Sequence, residues 1–403
     1  MKNYKPDWWK KPFPECITPV RFERSKQIKT NSYLPIGNFP IIDQGQTKIA
    51  GWTNDKSAVI NDNLPLIIFG DHTRVFKYID FPFAIGADGT KIIKPNRDEF
   101  CSRYIYYYLQ NLNLPSRGYS RHYKLLKESE ISYPEISEQE KIAAVLLIIQ
   151  HAIEVQESII EAVQELKKST MEHVFTYGLR GEKTKETEIG RVPESWGIVS
   201  LEDLCAIERG KFTHRPRNDP AYYGGNIPFV QTGDIANSNG RVTNYSQTLN
   251  ELGLSVSKIF PKGTILITIA ANIGDTGILE FDSAFPDSII GLTVTEEING
   301  YYLEYYLRTQ KRKMMQLAPK GTQLNINIQF LRPWPVLCPG IEEQIEIAET
   351  FQSIDNKIEL HTTKKDVLQD LFKTMLNKLM TGQIRVKDLD IDTSWVMEMK
   401  NKG

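Results

Sequence analysis

Cysteine and histidine are scarce in this chain of 403 residues, and neither is spaced for metal binding. Only four cysteines occur, and because they lie far apart and never form a CxxC pair, they exclude a disulfide framework and a CxxC zinc site. The six histidines show no His-x-x-x-His spacing of the kind that holds zinc. We therefore expect no metal in this chain, and thiols that are buried in a reducing compartment: Cys16, Cys101, Cys205 and Cys338.

The chain also lacks the short motifs that mark common catalytic sites. It has no Gly-x-x-x-x-Gly-Lys-Ser/Thr loop for a triphosphate, no Gly-x-Gly-x-x-Gly turn for a dinucleotide or methyl donor, and no Asn/Asp-Pro-Pro-aromatic run for methylation of an amino group. Pro286-Asp287 and Glu165-Leu166-Lys167 look like fragments of a nuclease's acidic pattern, but they lie far apart in the sequence. We interpret them as coincidence and predict that the chain is not an enzyme.

Long apolar runs and a large net charge are missing as well. No uninterrupted apolar run approaches the eighteen residues or so that would span a membrane, and the N-terminus is polar, so we expect a cytoplasmic protein. Lys plus Arg (49) nearly cancels Asp plus Glu (50). Any contact with nucleic acid must therefore use local basic patches rather than an overall positive field.

What the chain does contain is a segment that occurs twice. Pro134–Ala143 (PEISEQEKIA) and Pro339–Ala348 (PGIEEQIEIA) share Pro, Ile, Glu, Gln, Ile and Ala at a constant offset of 205 residues, 339 − 134. Ser137 and Glu140 are spaced as a capping box, which predicts that the first of two long helices begins at Ser137. Gly178 and Gly181 predict where that helix ends.

Downstream of both copies, apolar residues recur in steps of four and three, which is the pattern of a coiled coil. Gln156 and His361 occupy the same position of the repeat, and we expect them to fix the pairing of the two helices. The repeat predicts an antiparallel pair about a pseudo-twofold axis. The predicted seam residues are Ile142, Leu146, Ile149, Ile153, Gln156, Ile347, Phe351, Ile354, Ile358 and His361.

Each half of the chain follows one plan, which is a mixed α/β domain, a tyrosine-rich helix, a polar loop with glycine, and a long helix. Asn38–Gln46 matches Asn226–Asp234, and Tyr104–Leu109 matches Tyr302–Leu307. The tyrosines are read either as a platform for stacked bases or, more simply, as packing against a sheet. The predicted domains are 1–135 (first mixed domain), 136–180 (long helix), 181–191 (polar linker), 192–338 (second mixed domain), 339–385 (long helix) and 386–403 (tail).

This order of elements resembles the specificity subunit of type I restriction-modification systems. The resemblance covers nearly the whole chain and depends on the two Pro-x-x-x-Glu-Gln-x-x-Ile-Ala segments, on Val192-Pro-Glu-Ser-Trp196 and on Lys320-Gly-Thr. In the first half, only Lys5-Pro-Asp-Trp-Trp9 stands where an opening of the Val-Pro-Glu-x-Trp type is expected. The first domain is therefore expected to be shortened at its start.

The resemblance implies a non-catalytic subunit whose two target recognition domains each read one half of a bipartite, asymmetric DNA site. It also implies that the paired helices bind two methyltransferase (modification) subunits, and that motor-nuclease (restriction) subunits join the complex. S-adenosylmethionine, ATP and Mg²⁺ would be bound by those partners and not by this chain. The alternatives are a stand-alone DNA-binding or adapter protein, and an endonuclease or methyltransferase with its own recognition domains.

Basic, amide and aromatic residues are interleaved in the loops of both predicted domains. Arg and Lys would contact phosphates or guanine, and Gln and Asn would pair with adenine edges. Asp43 and Asp234 are read as turn caps in preference to acceptors for cytosine. The predicted DNA contacts are Gln44, Gln46, Arg121, Lys124, Lys211, Arg215, Arg217, Gln231, Lys320, Thr322, Gln323 and Asn325.

The length of the seam sets an expectation for the spacing of the two half-sites. Ile142 to Val174 is 32 residue steps, or about 48 Å of helix. At roughly 3.4 Å per base pair, that corresponds to half-sites on the order of 14 base pairs apart. We expect insertions near Thr176 to Gly181 to change this spacing without changing the half-site sequences.

Overall fold

A computed structural model describes residues 8–20, 22–86, 89–115, 121–270, 272–318 and 326–397. The chain divides into two compact units, residues 1–158 with 361–403 and residues 159–360. This division differs from the predicted one because each unit contains a mixed domain together with part of each long helix.

The first unit is built from short strands in three small sheets. In these sheets the strand orders are β4-β3-β8-β5, β2-β9-β6-β7 and β1-β10, where the strands are β1 (Trp9–Pro12), β2 (Ile17–Thr18), β3 (Phe39–Ile42), β4 (Gly51–Thr53), β5 (Val59–Ile60), β6 (Leu66–Gly70), β7 (Phe76–Ile79), β8 (Phe83–Ile85), β9 (Thr90–Pro95) and β10 (Glu130–Tyr133). Its short helices are α1 (Ser102–Asn111) and α2 (Tyr123–Lys127).

The second unit repeats these sheets with longer loops. In it the strand orders are β17-β15-β21-β18, β14-β22-β19-β20-β16 and β13-β23, with a separate hairpin β11-β12, where the strands are β11 (Thr184–Thr187), β12 (Gly190–Pro193), β13 (Gly197–Ser200), β14 (Cys205–Arg209), β15 (Tyr223–Phe229), β16 (Arg241–Val242), β17 (Gln247–Leu249), β18 (Ile259–Phe260), β19 (Ile265–Thr268), β20 (Thr276–Leu279), β21 (Ser283–Ala284), β22 (Ile289–Val294) and β23 (Pro335–Cys338).

The remaining helices complete the chain. In the second unit the shorter helices are α4 (Leu201–Leu204), α5 (Thr232–Ala236), α6 (Glu251–Ser255), α7 (Gly300–Leu317) and α8 (Ile328–Leu331). The two long helices are α3 (Ile136–Tyr177) and α9 (Ile341–Met380), and α10 (Ser394–Met397) follows in the first unit. Single 3-10 turns occupy Phe13–Glu15, Arg24–Lys26, Thr30–Ser32, Lys56–Ala58 and Pro220–Tyr222.

Apart from the additional strand β16 and the β11-β12 hairpin of the second unit, the two units share one sheet topology, which confirms the predicted duplication of a mixed α/β fold. In the first unit, β3 pairs with β8 in parallel, with Ile41 opposite Ala84. In the second unit, β15 pairs with β21 in parallel, with Phe229 opposite Ala284. In these two four-stranded sheets, β4-β3-β8-β5 and β17-β15-β21-β18, the remaining two strand pairings are antiparallel.

The long helices pack antiparallel within each unit. In the first unit, Gln156 of α3 contacts His361 of α9, and Glu138 near the start of α3 pairs with Arg385 after the end of α9. In the second unit, Lys167 lies 2.5 Å from Asp355. As the residue number rises along α3, it falls along α9, so the predicted antiparallel coiled coil is confirmed.

The start of α3 differs from the prediction. Because α3 begins at Ile136, Ser137 lies inside the first turn, and the predicted capping box at Ser137 and Glu140 is wrong. The backbone carbonyl of Glu135 accepts the N–H groups of Glu138 and Gln139, each over 3.0 Å. The turn therefore closes on Glu135, immediately after the proline that ends the extended segment.

The repeated glutamine explains why the motif recurs. Gln139 is buried, donates Nε2–H to the carbonyls of Pro134 (2.9 Å) and Glu99 (3.2 Å), and accepts from the N–H of Cys101 at 3.0 Å. Gln344 is also buried, donates to the carbonyls of Pro339 (3.0 Å) and Glu297 (3.4 Å), and accepts from the N–H of Asn299 at 2.8 Å. In each unit, this amide joins the start of a long helix to the start of the tyrosine-rich helix.

The seam positions face the interior. Of the ten predicted seam residues, Ile142, Leu146, Ile347 and Phe351 are buried and the other six are partly buried. α3 is long and apolar enough to cross a membrane, although it contains no uninterrupted apolar run of that length. Core helices of soluble proteins reach the same length and apolar composition, and here residues of α9 pack against one face of α3.

The expected linker and the expected tail both have defined structure. The expected linker 181–191 contains most of the β11-β12 hairpin, in which Glu186 lies opposite Arg191. In the expected tail, Val386 is buried and its N–H donates to Glu138 over 3.2 Å. The amine of Lys141 donates to the carbonyls of Lys387 and Leu389 at 2.8 and 2.7 Å. The segment after α9 therefore packs onto the first unit.

The tyrosine-rich helices pack on their sheets instead of presenting a stacking platform. Tyr104 and Tyr107 of α1 are fully buried, as is Tyr302 of α7. The hydroxyl of Tyr104 donates to the carbonyl of Ser132, and that of Tyr302 to the carbonyl of Leu337, each over 2.8 Å. Burial raises the pKa of these phenols well above the ordinary value, so they remain neutral donors.

Candidate nucleic-acid interface

A cleft of about 440 Å³ opens on the second unit. It lies where β15 and β17 meet the segments that follow β14 and β21. Its walls combine aromatic, amide and basic groups, and the lining residues are Phe212, Arg217, Asn218, Pro220, Tyr223, Phe229, Gln231, Gln247 and Pro286.

Aromatic rings pack together along one side of the cleft. Phe212 and Phe229 are buried with their ring centroids 5.3 Å apart. Tyr223 is partly exposed, and its ring lies 5.8 Å from Phe212. The backbone fixes these positions, since Phe229 pairs with Ala284 of β21 and Tyr223 begins β15. Phe212 and Phe229 therefore support Tyr223, whose partly exposed ring is the flat surface here that a sugar or a base could contact.

Two glutamine side chains meet at the same cleft. Gln231 donates Nε2–H to Oε1 of Gln247 over 3.2 Å. The backbone N–H of Gln231 donates to Oδ2 of Asp234 over 2.8 Å, so Asp234 caps the start of α5 as expected. A primary amide presents a donor and an acceptor side by side, which matches the N6/N7 edge of adenine in the major groove.

Arginine side chains supply the positive charge at this cleft. Arg217 lines the cleft, and Arg215 lies two residues before it. Both guanidinium groups pair with the carboxylate of Asp287, with Arg215 Nη2 at 3.2 Å from Oδ2. About half of each arginine side chain is exposed, so these charges are accessible to a phosphate or a guanine edge.

The predicted contacts in the second unit fall into two groups. Arg217 and Gln231 line the cleft, and the backbone N–H of Lys211 donates to the carbonyl of Phe285, next to the cleft residue Pro286. The structure therefore brings together one group, formed by Lys211, Arg215, Arg217 and Gln231. The other group lies outside the described residues and comprises Lys320, Thr322, Gln323 and Asn325.

In the first unit, the turn at Asp71–His72 brings two predicted segments together. The N–H of His72 donates to Oε1 of Gln44 over 3.4 Å, and the N–H of Tyr123 donates to Oδ1 of Asp71 over 2.8 Å. Gln44 therefore lies near the segment that carries the exposed side chains of Arg121 and Lys124; Gln46 is exposed as well.

Asp43 acts as a structural residue in this unit, which agrees with its reading as a turn cap. Its Oδ1 accepts the N–H of Gly45 at 2.8 Å. The buried Lys77 lies 3.6 Å from the same oxygen and donates to the Asp43 carbonyl at 2.7 Å. Burial lowers the pKa of Lys77, an effect that the carboxylate of Asp43 opposes.

Sequence reasoning missed several residues of the cleft. Gln247 belongs to an ordinary alternating strand, and only its register opposite Phe229 places it beside Gln231. Tyr223 and Asn218 carry no pattern that separates them from other loop residues. Asp287 stands out in the sequence only through the nuclease-like fragment Pro286-Asp287. Among the described residues, no group of three or more potential ligands could hold a metal ion.

The fold and this cleft define a duplicated mixed α/β protein with an antiparallel coiled coil and a cleft lined by aromatic, amide and basic groups. Residues 193–370 match the family described as the Type I restriction modification DNA specificity domain. The chain is similar to the specificity subunits of type I restriction-modification systems.

Individual relatives support the same family. The chain is 28% identical over 282 residues to the MjaVIII type I restriction enzyme specificity subunit of Methanocaldococcus jannaschii, covering 66% of this chain and 65% of that protein. It is 22% identical over 358 residues to the EcoR124I/EcoR124II specificity subunit of Escherichia coli, covering 82% and 83%. The crystal structure of a type I S subunit from M. genitalium has the same fold, with a TM-score of 0.64 at 16% identity over 94% of this chain and 97% of that one.

Proposed function

We propose that this chain reads DNA sequence for a type I restriction-modification complex, with each repeated domain recognising one half of a bipartite, asymmetric site. The observation that carries this proposal is the cleft of the second unit. It combines Arg217 with the Gln231–Gln247 pair and an aromatic side, which are the group types that contact phosphate, base edge and sugar.

The duplication supports two readers of different sequences. The two units share their sheet topology, but the loops that join matching strands differ in length and composition. Loops on a rigid scaffold carry the residues that determine specificity. We infer that the first unit reads its half-site with residues around Gln44, Arg121 and Lys124.

Exposed apolar residues on the long helices support binding of two copies of one partner. Val155 and Leu166 of α3 are 38% and 55% exposed, and the residues 205 positions later, Leu360 and Leu371 of α9, are 51% and 44% exposed. Eleven residues separate the members of each pair (166 − 155 and 371 − 360), which returns to the same helix face within about 20°. Each long helix thus carries an equivalent apolar stripe.

Acidic residues flank both stripes at equivalent positions. Glu154, Glu161 and Glu165 on α3 correspond to Glu359, Asp366 and Asp370 on α9, and all six are exposed. We infer that the partner is a methyltransferase subunit that offers an apolar patch to each stripe. Two equivalent stripes would bind two such subunits.

The chemistry belongs to the partners in this proposal. The chain would act without catalysis of its own in the cytoplasm, and S-adenosylmethionine, ATP and Mg²⁺ would be bound by the methyltransferase and motor-nuclease subunits.

The test is to express the chain with its methyltransferase subunit in a host that lacks the modification, and to sequence the methylated bases. We expect one bipartite motif that disappears when the chain is omitted. Methylation that does not depend on the chain would refute the proposal. DNA binding by the chain without any association with a methyltransferase would instead favour the adapter alternative.

A further inference from the structure

Asp287 lies at the centre of a group of arginines in the second unit. Its carboxylate accepts from Arg215 Nη2 at 3.2 Å and also pairs with Arg217. Its backbone carbonyl accepts from Arg209 Nε at 2.5 Å. Three guanidinium groups therefore converge on a residue that carries one negative charge.

The contacts of Arg215 fix the direction of its guanidinium. Arg215 Nη1 donates to the carbonyls of Phe212 and His214, each over 2.7 Å, while Nη2 donates to Asp287. Arg217 is held by the other oxygen of the same carboxylate and lines the cleft. Asp287 is 31% exposed, and it follows the cleft residue Pro286.

We propose that Asp287 is a positioning residue for specificity, which holds Arg215 and Arg217 in the orientation that reads a base edge and restrains them from binding phosphate indiscriminately. The inference depends on the proposed function of the cleft as a DNA reader. Asp287 itself need not touch DNA, because it acts through the two arginines.

The physical reason is competition between two anions. Free arginines on a surface bind any phosphate, and each such contact adds to sequence-independent affinity. A carboxylate already paired with both guanidinium groups must be displaced before a phosphate binds them at full strength. A guanine edge can be approached by the outward N–H groups while the carboxylate remains in place.

The test compares full-length chains with Asp287→Asn and Asp287→Glu on fluorescent duplexes. The non-specific probe is a pool with a randomised core, and the specific probe is the sequence that the wild-type chain enriches from that pool. Melting temperature is measured for every variant. The matched control is Glu280→Gln, because Glu280 also pairs with two cations, Arg241 (3.0 Å) and Lys262 (3.5 Å), but does not line the cleft.

For Asp287→Asn we expect roughly tenfold tighter binding to the random pool at about 50 mM salt. We also expect the logarithm of the binding constant to fall more steeply with the logarithm of the salt concentration, by about one to two in slope. Preference at one base pair of one half-site should fall roughly tenfold, with the other half-site unchanged. Asp287→Glu keeps the charge but moves it, so pool binding should stay at the wild-type level while the same preference falls. Glu280→Gln should change none of these quantities.

An unchanged enriched sequence and unchanged salt dependence in Asp287→Asn would overturn the inference. A parallel loss of both affinities with a lower melting temperature would assign Asp287 a purely structural role. If Asp287→Asn does not fold, the enriched sequence of Asp287→Glu decides the question. If the wild-type chain enriches no sequence either alone or together with its methyltransferase subunit, the proposed function fails and not merely this inference.

Discussion

Gln156 and His361 are equivalent residues of the internal repeat, and they are hydrogen-bonded to each other. His361 Nδ1 lies 2.8 Å from Oε1 of Gln156, and the two positions differ by the repeat offset of 205. Both residues lie in the first unit, where their contact joins equivalent positions of α3 and α9 and so marks the alignment of the two helices there.

This polar pair should fix the alignment of the helices at the expense of stability. Gln156→Leu or His361→Leu alone removes one partner and should cost up to about 1 kcal/mol of unfolding free energy. The double replacement should be at least as stable as the wild type, because a polar pair in a seam specifies register while apolar residues pack better. Thermal and urea unfolding of the four chains gives the coupling energy. Strictly additive losses would show that the pair contributes nothing to alignment.

The two buried glutamines should be far more sensitive than the central pair. Gln139 and Gln344 are 1% and 2% exposed, and each makes three hydrogen bonds to backbone groups. Replacement by leucine leaves those groups without partners, so Gln344→Leu and Gln139→Leu should each lower the unfolding free energy by about 2 to 3 kcal/mol. Gln164→Leu, at an exposed position of α3, is the control. Equal stability of Gln344→Leu and the control would contradict this reading.

The long helices could be read from the sequence because apolar steps of four and three form a local pattern. The duplication could be read because the repeated segments keep a constant offset of 205 residues, and the structure confirms both. The start of α3 could not be read as easily. Ser137 satisfies a capping pattern, but the turn closes on Glu135, where Gln139 holds the preceding Pro134.

The packing of the C-terminal segment gives a pH-dependent prediction. Burial would raise the pKa of Glu138, but hydrogen bonds from Arg385 (2.8 and 2.7 Å) and from the N–H of Val386 outweigh burial and hold that pKa below its usual 4.5. A lowered carboxyl pKa in the folded state stabilises the fold above the ordinary value, and that stability is lost as pH falls through the folded value.

Arg385→Met should therefore destabilise the first unit by about 3 kcal/mol at pH 7, since it leaves a buried carboxylate unpaired. The difference from the wild type should shrink as the pH falls through 4.5 toward the lowered pKa of Glu138, below which this carboxyl is protonated in both chains. Urea unfolding at pH 7 and near pH 3 measures both quantities. Lys373→Met, which removes one partner of the exposed pair with Asp370, should have no measurable effect. A pH-independent loss for Arg385→Met would contradict the assignment.

The cleft was only partly predictable, for a different reason. Arg215, Arg217 and Gln231 could be chosen by residue type, because basic and amide groups suit a duplex. Gln247 could not be chosen, since its contact with Gln231 depends on the register of β15 and β17. Such pairings are set by long-range strand contacts, and the sequence records them only as alternation.

Single replacements in the two units should act on different half-sites. Gln247→Leu removes one amide of the cleft, so discrimination at one base pair of one half-site should fall roughly tenfold. Arg121→Ala should relax only the other half-site. Sequencing of methylated sites in cells that express each variant with the methyltransferase subunit gives both motifs directly. Loss of preference at both half-sites from one replacement would contradict the assignment of one reader to each unit.

The apolar stripes predict how partner stoichiometry responds to charge. Leu166 and Leu371 are equivalent and exposed, so aspartate at either position should leave the fold intact and add to a border that is already acidic. Leu166→Asp or Leu371→Asp alone should reduce the complex from two methyltransferase subunits to one, and the double variant should bind none. Gln164→Asp, on the opposite face of α3 and also exposed, is the control and should retain two. Native mass spectrometry of the co-expressed complexes counts the subunits.

If one replacement releases both partners, the two stripes do not act as independent sites. If the double variant keeps both partners, the stripes are not the binding surface.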